Sequence, residues 1–409
     1  MNFLLINYDF PPNPGIGGRR WAKLAKALAS IGNKVYVVKA EFPQGSGQSP
    51  WAHDVVHENI QVYSANRSYP RAVSHPAATI AGRILYRFHT YVLSLKEKGT
   101  IYDQSIGWNH TMMPLCRKIL LENNIDAIIA TGAPWNLLVF AAQLKEEFPS
   151  CKLLVDYRDP WLNARNYGMA NLSAKRKQAE AAKQQFVFER TDAVSTPYAY
   201  LTQQLQIWSE GHCAHSPQFT TIEHFFDPED YPPASESKLS KNVFRMVYAG
   251  DIYLGSAPQW EMLASIIKNY EASQQGSLLI ELYTGAVVPE VIQSLPCVKV
   301  HPPVGKSIFS IMQSADALIV VLPENKKDER TTKFFEYLPL RKPLLVAAPP
   351  GEVTHFVEKN NLGVHTAQSE KVIDNFLSGH FTRSAFNQRF DVSSHTSLHR
   401  AGEIMNLLS

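Results

Sequence analysis

The sequence predicts an α/β protein of two domains facing each other across a cleft, each built on a parallel sheet. Three observations predict it. Short apolar runs, each followed by a helical pattern, recur along the chain, as strands buried on both faces of a sheet require. A proline-rich break near the middle separates two such series. The length, 409 residues, exceeds that of one typical domain.

The first series opens with residues 3–8 (FLLINY), a continuous apolar run. The loop DFPPNPGIGG follows, then an amphipathic helix from about residue 19 to 31 and a strand at 34–40, a β-α-β unit of ordinary size. A dinucleotide fingerprint does not fit the loop, because Arg20 stands where the third glycine is needed and prolines part the first glycine from the strand. After a strand at 60–65, residues 66–113 interleave Arg67, Arg71, Arg83, Arg87, Lys96 and Lys98 with aromatic and aliphatic side chains. Such a segment is either a basic amphipathic surface suited to anionic lipid or a pair of helices packed on the domain. Strands at 126–131, 152–157 and 192–197 complete the first domain, the last read as its final strand. Residues 211–241 read as linker.

The second series has strands at 244–250, 278–283, 298–301, 317–323 and 344–348, and the chain finishes in a helix over about 392–408. The expected division is 1–215 for the first domain, 216–391 for the second, and 392–409 for a helix returning to the first.

Composition narrows the function. With 45% hydrophobic and 19% charged residues the chain is an ordinary globular protein. A net charge of +3 is nearly balanced, which argues against whole-protein nucleic-acid binding. Cys116, Cys151, Cys213 and Cys297 show neither a C-x-x-C pair nor metal-ligand spacing, so reduced thiols of a cytoplasmic protein are expected. Neither a secretory signal nor an apolar stretch long enough to span a membrane is visible.

Residues 328–343 (DERTTKFFEYLPLRKP) follow the apolar run at 317–323, so a loop and a helix start stand at the carboxyl end of a parallel strand, where open α/β sheets bind ligands. Thr331 and Thr332 suit the helix start, and with Lys333 beside them the free N–H groups there can hold a diphosphate. Glu336, one turn on, can accept hydrogen bonds from a ribose. Gly250, at the end of its strand, would let a phosphate approach the backbone.

Asp328 and Glu336 reproduce, with Asp in the first place, the paired-acid spacing of retaining glycosyltransferases, and Tyr337, Leu338, Lys342 and Pro343 follow in the matching block. With the F-P-P…G-G-R opening and the R-D-P-W sequence of residues 158–161, the chain resembles the family 4 glycosyltransferases of the GT-B fold, and a subgroup carrying R-D-P-W. The resemblance implies two Rossmann-like domains and a metal-independent, retaining transfer from a nucleotide-diphosphate sugar to a hydroxyl, with no cofactor. It implies Asp328, Glu336, Asp159 and Arg158 at the reacting centre, and Gly250, Lys306, Arg330, Thr331, Thr332, Lys333 and Glu336 on the donor. Gly17, Gly18, Arg19 and Trp135 would border the acceptor or sugar.

The chain departs from that family at three points. R-D replaces H-D, and Arg158 stays protonated and cannot act as a base. The usual Arg/Lys diphosphate clamp after Gly250 is missing, which leaves the charge to Lys333, Arg330 or Lys306. His224 stands where N-G-x-D is usual and is at most a hinge residue. A saccharide or lipid-linked acceptor at an anionic membrane face, in surface-polysaccharide or glycoconjugate synthesis, would suit the basic segment. A nucleotide-sugar 2-epimerase and a non-catalytic scaffold of the same architecture stay open as alternatives.

Overall fold

The computed structural model describes residues 1–15, 17–43, 47, 49–164, 167–232, 243–273, 277–378 and 389–409. It divides into two compact units, Met1–Glu223 with Ser397–Ser409, and His224–Thr396.

The first unit carries a seven-stranded parallel sheet in the order β3-β2-β1-β4-β5-β6-β7. Its strands are β1 (Asn2–Ile6), β2 (Lys34–Ala40), β3 (Ile60–Ala65), β4 (Ala127–Gly132), β5 (Lys152–Tyr157), β6 (Ala193–Thr196) and β7 (Gln218–Thr221). The helices are α1 (Arg19–Ser30), α2 (Arg71–Ser74), α3 (Ile80–Lys96), α4 (Asn109–Glu122), α5 (Asn136–Glu147), α6 (Ala174–Phe188) and α7 (Ala199–His212). All six residues of β4 are buried, as a central strand covered on both faces requires. A buried charge network ties the sheet to α1: the Asp156 carboxylate on β5 accepts from Trp21 Nε1 at 2.8 Å and Ser195 Oγ at 2.8 Å, and pairs with Arg20 at 3.3 Å.

The second unit has a six-stranded parallel sheet, β10-β9-β8-β11-β12-β13. Its strands are β8 (Val243–Ala249), β9 (Ser277–Tyr283), β10 (Val298–His301), β11 (Ala317–Val321), β12 (Leu344–Ala347) and β13 (Gly363–His365). Between and after them lie α8 (Ala257–Ala272), α9 (Glu290–Gln293), α10 (Ile308–Ser314), α11 (Thr332–Tyr337), α12 (Glu352–Asn360) and α13 (Glu370–Leu377), and α14 (Ser397–Leu408) then belongs to the first unit. There α14 packs along α1, with Arg400 paired to Glu223 at 3.2 Å.

Three expectations need correction. β6 is not the last strand of the first sheet, because α7 and β7 follow it inside the segment read as linker. β7 reads QFTT and lies at the sheet edge, so it lacks the apolar run that marks a central strand. The last part of that segment, from residue 233 to 241, lies outside the described residues. The terminal helix starts at Ser397, not near 392, after a separate 3₁₀ turn over Ser393–His395. β13, only three residues long, escaped the apolar-run criterion altogether.

Candidate functional site

In an open parallel sheet the ligand crevice lies at the carboxyl ends of the two strands where the strand order reverses. In the second unit that point falls between β8 and β11, since the chain runs from β8 outward through β9 and β10 and then returns to β11. Gly250 ends β8 and α11 follows the loop after β11, so topology alone brings them together.

The side chains at this point form one built cluster. Lys333 Nζ donates to the Asp251 carbonyl at 2.6 Å and to the Tyr248 hydroxyl at 3.0 Å, and stands 4.8 Å from the ring centres of both Tyr248 and Tyr253. A Cβ on Gly250 would lie 2.5 Å from Lys333 Cε, and Gly250 has φ +108°. Only glycine meets both conditions without strain. Burial lowers the Lys333 ammonium to about 8, against the opposing pull of Asp251 and Glu336. The Tyr337 hydroxyl accepts from the Ala249 N–H at 3.1 Å, which fastens α11 to the end of β8. Thr331 is the N-cap residue of α11 but makes no side-chain capping bond, and Thr332 opens the first turn, where N–H groups have no intrahelical acceptor.

Glu336 is half-buried and one turn beyond Lys333, close enough to act on its charge. Its carbonyl accepts from the Tyr231 hydroxyl at 2.8 Å. Asp328 lies in the loop before α11 and is half-buried. The structure does not bring Arg330 or Lys306 into this cluster. Arg330 turns to α12, 3.6 Å from Glu352 and 4.7 Å from the centre of the Phe356 ring. Lys306 follows edge strand β10 and pairs with Asp230 at 3.1 Å.

The first unit reverses its strand order between β1 and β4. At the end of β1 a Cβ on Gly17 would stand 2.6 Å from Asp9 Oδ2 and 3.3 Å from Arg158 Nη1, and one on Gly18 only 2.4 Å from the Asp9 carbonyl. Both glycines are needed for close approach rather than for positive φ, which among the loop's described glycines only Gly15 adopts. Arg158 donates to the Gly17 carbonyl at 3.2 Å and to Asp159 at 3.1 Å. Burial raises the Asp9 carboxyl above its usual range, although Arg158 and Arg67 pull it down. Sequence reasoning passed over Asp9, whose signal was its place directly after the apolar run of residues 3–8.

Arg19 lies over the Trp51 ring at 5.3 Å. Trp135 is not a surface contact. It is fully buried, stacks on Trp161 with ring centres 5.6 Å apart, and its backbone N–H donates to the Asp103 carboxylate at 2.6 Å. The Trp of R-D-P-W is likewise core, with its indole N–H bound to Glu180 at 2.6 Å. An aromatic residue after a Gly-Ala-Pro turn reads as a loop contact, but here it is a packing residue of the first unit's hydrophobic core.

No family model matches the sequence, and no curated protein matches it. Solved structures do match along nearly the whole chain. A trehalose-6-phosphate structure from E. coli bound with UDP-2-fluoro glucose is 11% identical, with TM-score 0.63, covering 100% of this chain and 99% of that one. Sucrose-phosphate synthase from Thermosynechococcus elongatus is 12% identical, with TM-score 0.54, covering 100% and 96%. WaaG, a glycosyltransferase involved in lipopolysaccharide biosynthesis, is 13% identical, with TM-score 0.54, covering 98% and 99%. The two parallel-sheet units are those of the GT-B glycosyltransferase fold.

Proposed function

We propose that the protein is a glycosyltransferase that moves a sugar from a nucleotide-diphosphate sugar to a hydroxyl acceptor, with retention. The observation that carries this reading is the Lys333 ammonium, seated against Gly250 at the strand-order reversal of the second unit. A bound diphosphate would take over the hydrogen bonds that Lys333 now gives to Asp251 and Tyr248. A fixed cation there stabilises the leaving diphosphate without reorganisation, and the reading needs no metal. Glu336 receives the ribose hydroxyls, Thr331 and Thr332 present backbone N–H groups, and Asp328 contacts donor-sugar hydroxyls. The R-D-P-W likeness to family 4 supports this assignment. The UDP-2-fluoro glucose bound in one structural neighbour supports a nucleotide-sugar donor.

In the first unit, Asp9, Arg158 and Asp159 would contact the sugar or acceptor. A carboxyl held above its usual range is also suited to take a proton from an acceptor hydroxyl. That favours inversion as a second reading, and the anomeric configuration of the product by NMR separates the two.

The acceptor of this reading is a lipid-linked saccharide at the cytoplasmic face of an anionic membrane, in surface-polysaccharide or glycoconjugate synthesis. Among the described residues no helix is long and apolar enough to cross a membrane. α3, however, buries only Leu93 and leaves Ile80, Ile84, Phe88, Tyr91 and Leu95 exposed, a stripe along one helix face. Arg83, Arg87 and Lys96 are exposed beside it, the charge complement of anionic headgroups. Phe88→Asp should release the protein from phosphatidylglycerol vesicles in co-sedimentation; equal binding of both forms would count against the surface.

A thermal-shift panel of UDP, GDP, ADP, CDP and dTDP, with Glu336→Ala in parallel, tests the donor site. Ligand at 100 times its dissociation constant adds about 2.7 kcal/mol, which is readily seen. One nucleotide should raise the midpoint and lose most of that effect in the variant. No response to any of them would favour a non-catalytic scaffold.

A further inference from the structure

Behind α3 the first unit contains a cavity of about 460 Å³ that the donor and Asp9 clusters do not use. Tyr69, Tyr86, Tyr102 and Tyr167 line it, with the amides of Gln104 and Asn171. Among the described residues none of its lining is charged. Such a lining offers a neutral polar ring aromatic side chains to pack on and amides that both donate and accept.

The walls are held by the fold. The Tyr69 hydroxyl donates to the Ile101 carbonyl at 2.7 Å, and the Tyr86 and Tyr102 hydroxyls are 3.0 Å apart. The Tyr102 ring lies so close to Gly168 that a Cβ there would fall 2.5 Å from it. Tyr167 adopts φ +59° and Gly168 φ +70°. A left-handed conformation at a bulky non-glycine residue is disfavoured and persists only where the surrounding structure holds it. Here the Tyr167 carbonyl is tied down by the Thr100 hydroxyl. Tyr167 also lies within electrostatic reach of Arg158, Asp9 and Asp159, so the cavity borders the cluster at the end of β1.

We infer that this cavity is the acceptor subsite and takes a neutral pyranose, stacked on its tyrosines and hydrogen-bonded by Gln104 and Asn171. The assignment to an acceptor rests on the glycosyltransferase reading; sugar binding itself does not. It also accounts for the place of the cavity beside α3, where a membrane-anchored saccharide would enter.

Saturation-transfer NMR with the methyl pyranosides of glucose, galactose, mannose and N-acetylglucosamine tests it, on the wild-type protein and on Tyr86→Ala, Asn171→Ala and Tyr200→Ala, the last outside the cavity lining. Tyr86 is part-exposed and Tyr200 is 51% exposed, so these changes leave the core intact. At least one pyranoside should show transfer, reduced fivefold or more in the two cavity variants and kept in Tyr200→Ala. No transfer from any pyranoside, or transfer equal in all four proteins, overturns the proposal. Nucleotide thermal shifts on the same variants should be unchanged. If pyranoside binding is present and no nucleotide shifts the protein, the sugar site stands and the donor reading falls.

Discussion

The two units reverse their strand order in the same way, yet the crevices at those points carry opposite chemistry. Between β8 and β11 the central group is a cation, Lys333, with a lowered pKa and a wall of tyrosines. At the end of β1 it is a carboxyl, Asp9, with a raised pKa, facing two glycines and an arginine. In both, burial disfavours the charged form, so each group gains most from a ligand that restores its charge or exchanges its proton. The same reversal of strand order supplies the place in each unit, and the buried titratable side chain beside it, Lys333 or Asp9, gives the place its charge.

Predictions that break this contrast can be ordered by size. Asp9→Asn keeps the shape but removes proton exchange and charge. It should lower turnover about 100-fold, in the range of one acid–base group, while leaving nucleotide affinity unchanged. A matching loss of nucleotide affinity would erase the distinction between the crevices.

A second prediction concerns pH. Because the ligand-free Lys333 titrates near 8, its ammonium is mostly present at pH 7 and mostly lost at pH 9. A diphosphate binds the charged form, so affinity should be full below about pH 7 and fall about tenfold between pH 7 and pH 9. Lys333→Arg should flatten that profile, since guanidinium stays charged. The smallest effect is expected of Glu336→Gln, which keeps one acceptor for the ribose. A loss of about 1 kcal/mol, or fivefold in affinity, is expected by titration calorimetry.

Much of the fold was legible because its central strands are apolar runs. β1, β4 and β11 are buried on both faces and carry almost no polar residue. β7 and β13 were not legible, being short edge strands whose side chains need no two-sided core. At the candidate site, the pairing of Gly250 with Lys333 was readable from strand, loop and helix order, although their contact distance was not. Arg330 and Lys306 were drawn in by charge alone, and their real partners, Glu352, Phe356 and Asp230, lie at other places on the same unit. Trp135 was misassigned because burial of a loop aromatic depends on packing partners far off in sequence, such as Trp161. The tyrosine cavity was invisible for the same reason: its walls run from Tyr69 to Asn171, and no spacing joins them.

The central claim is that one lysine at the β8–β11 reversal holds the donor's diphosphate. Its most direct test is calorimetric titration of wild type and Lys333→Ala at pH 7 with the nucleoside diphosphate that stabilises the protein. Loss of a charge-assisted hydrogen bond should weaken binding by about 1.5–3 kcal/mol, some 10- to 100-fold, with the fold intact by circular dichroism. Equal affinity in the two proteins would contradict the account and move the diphosphate elsewhere.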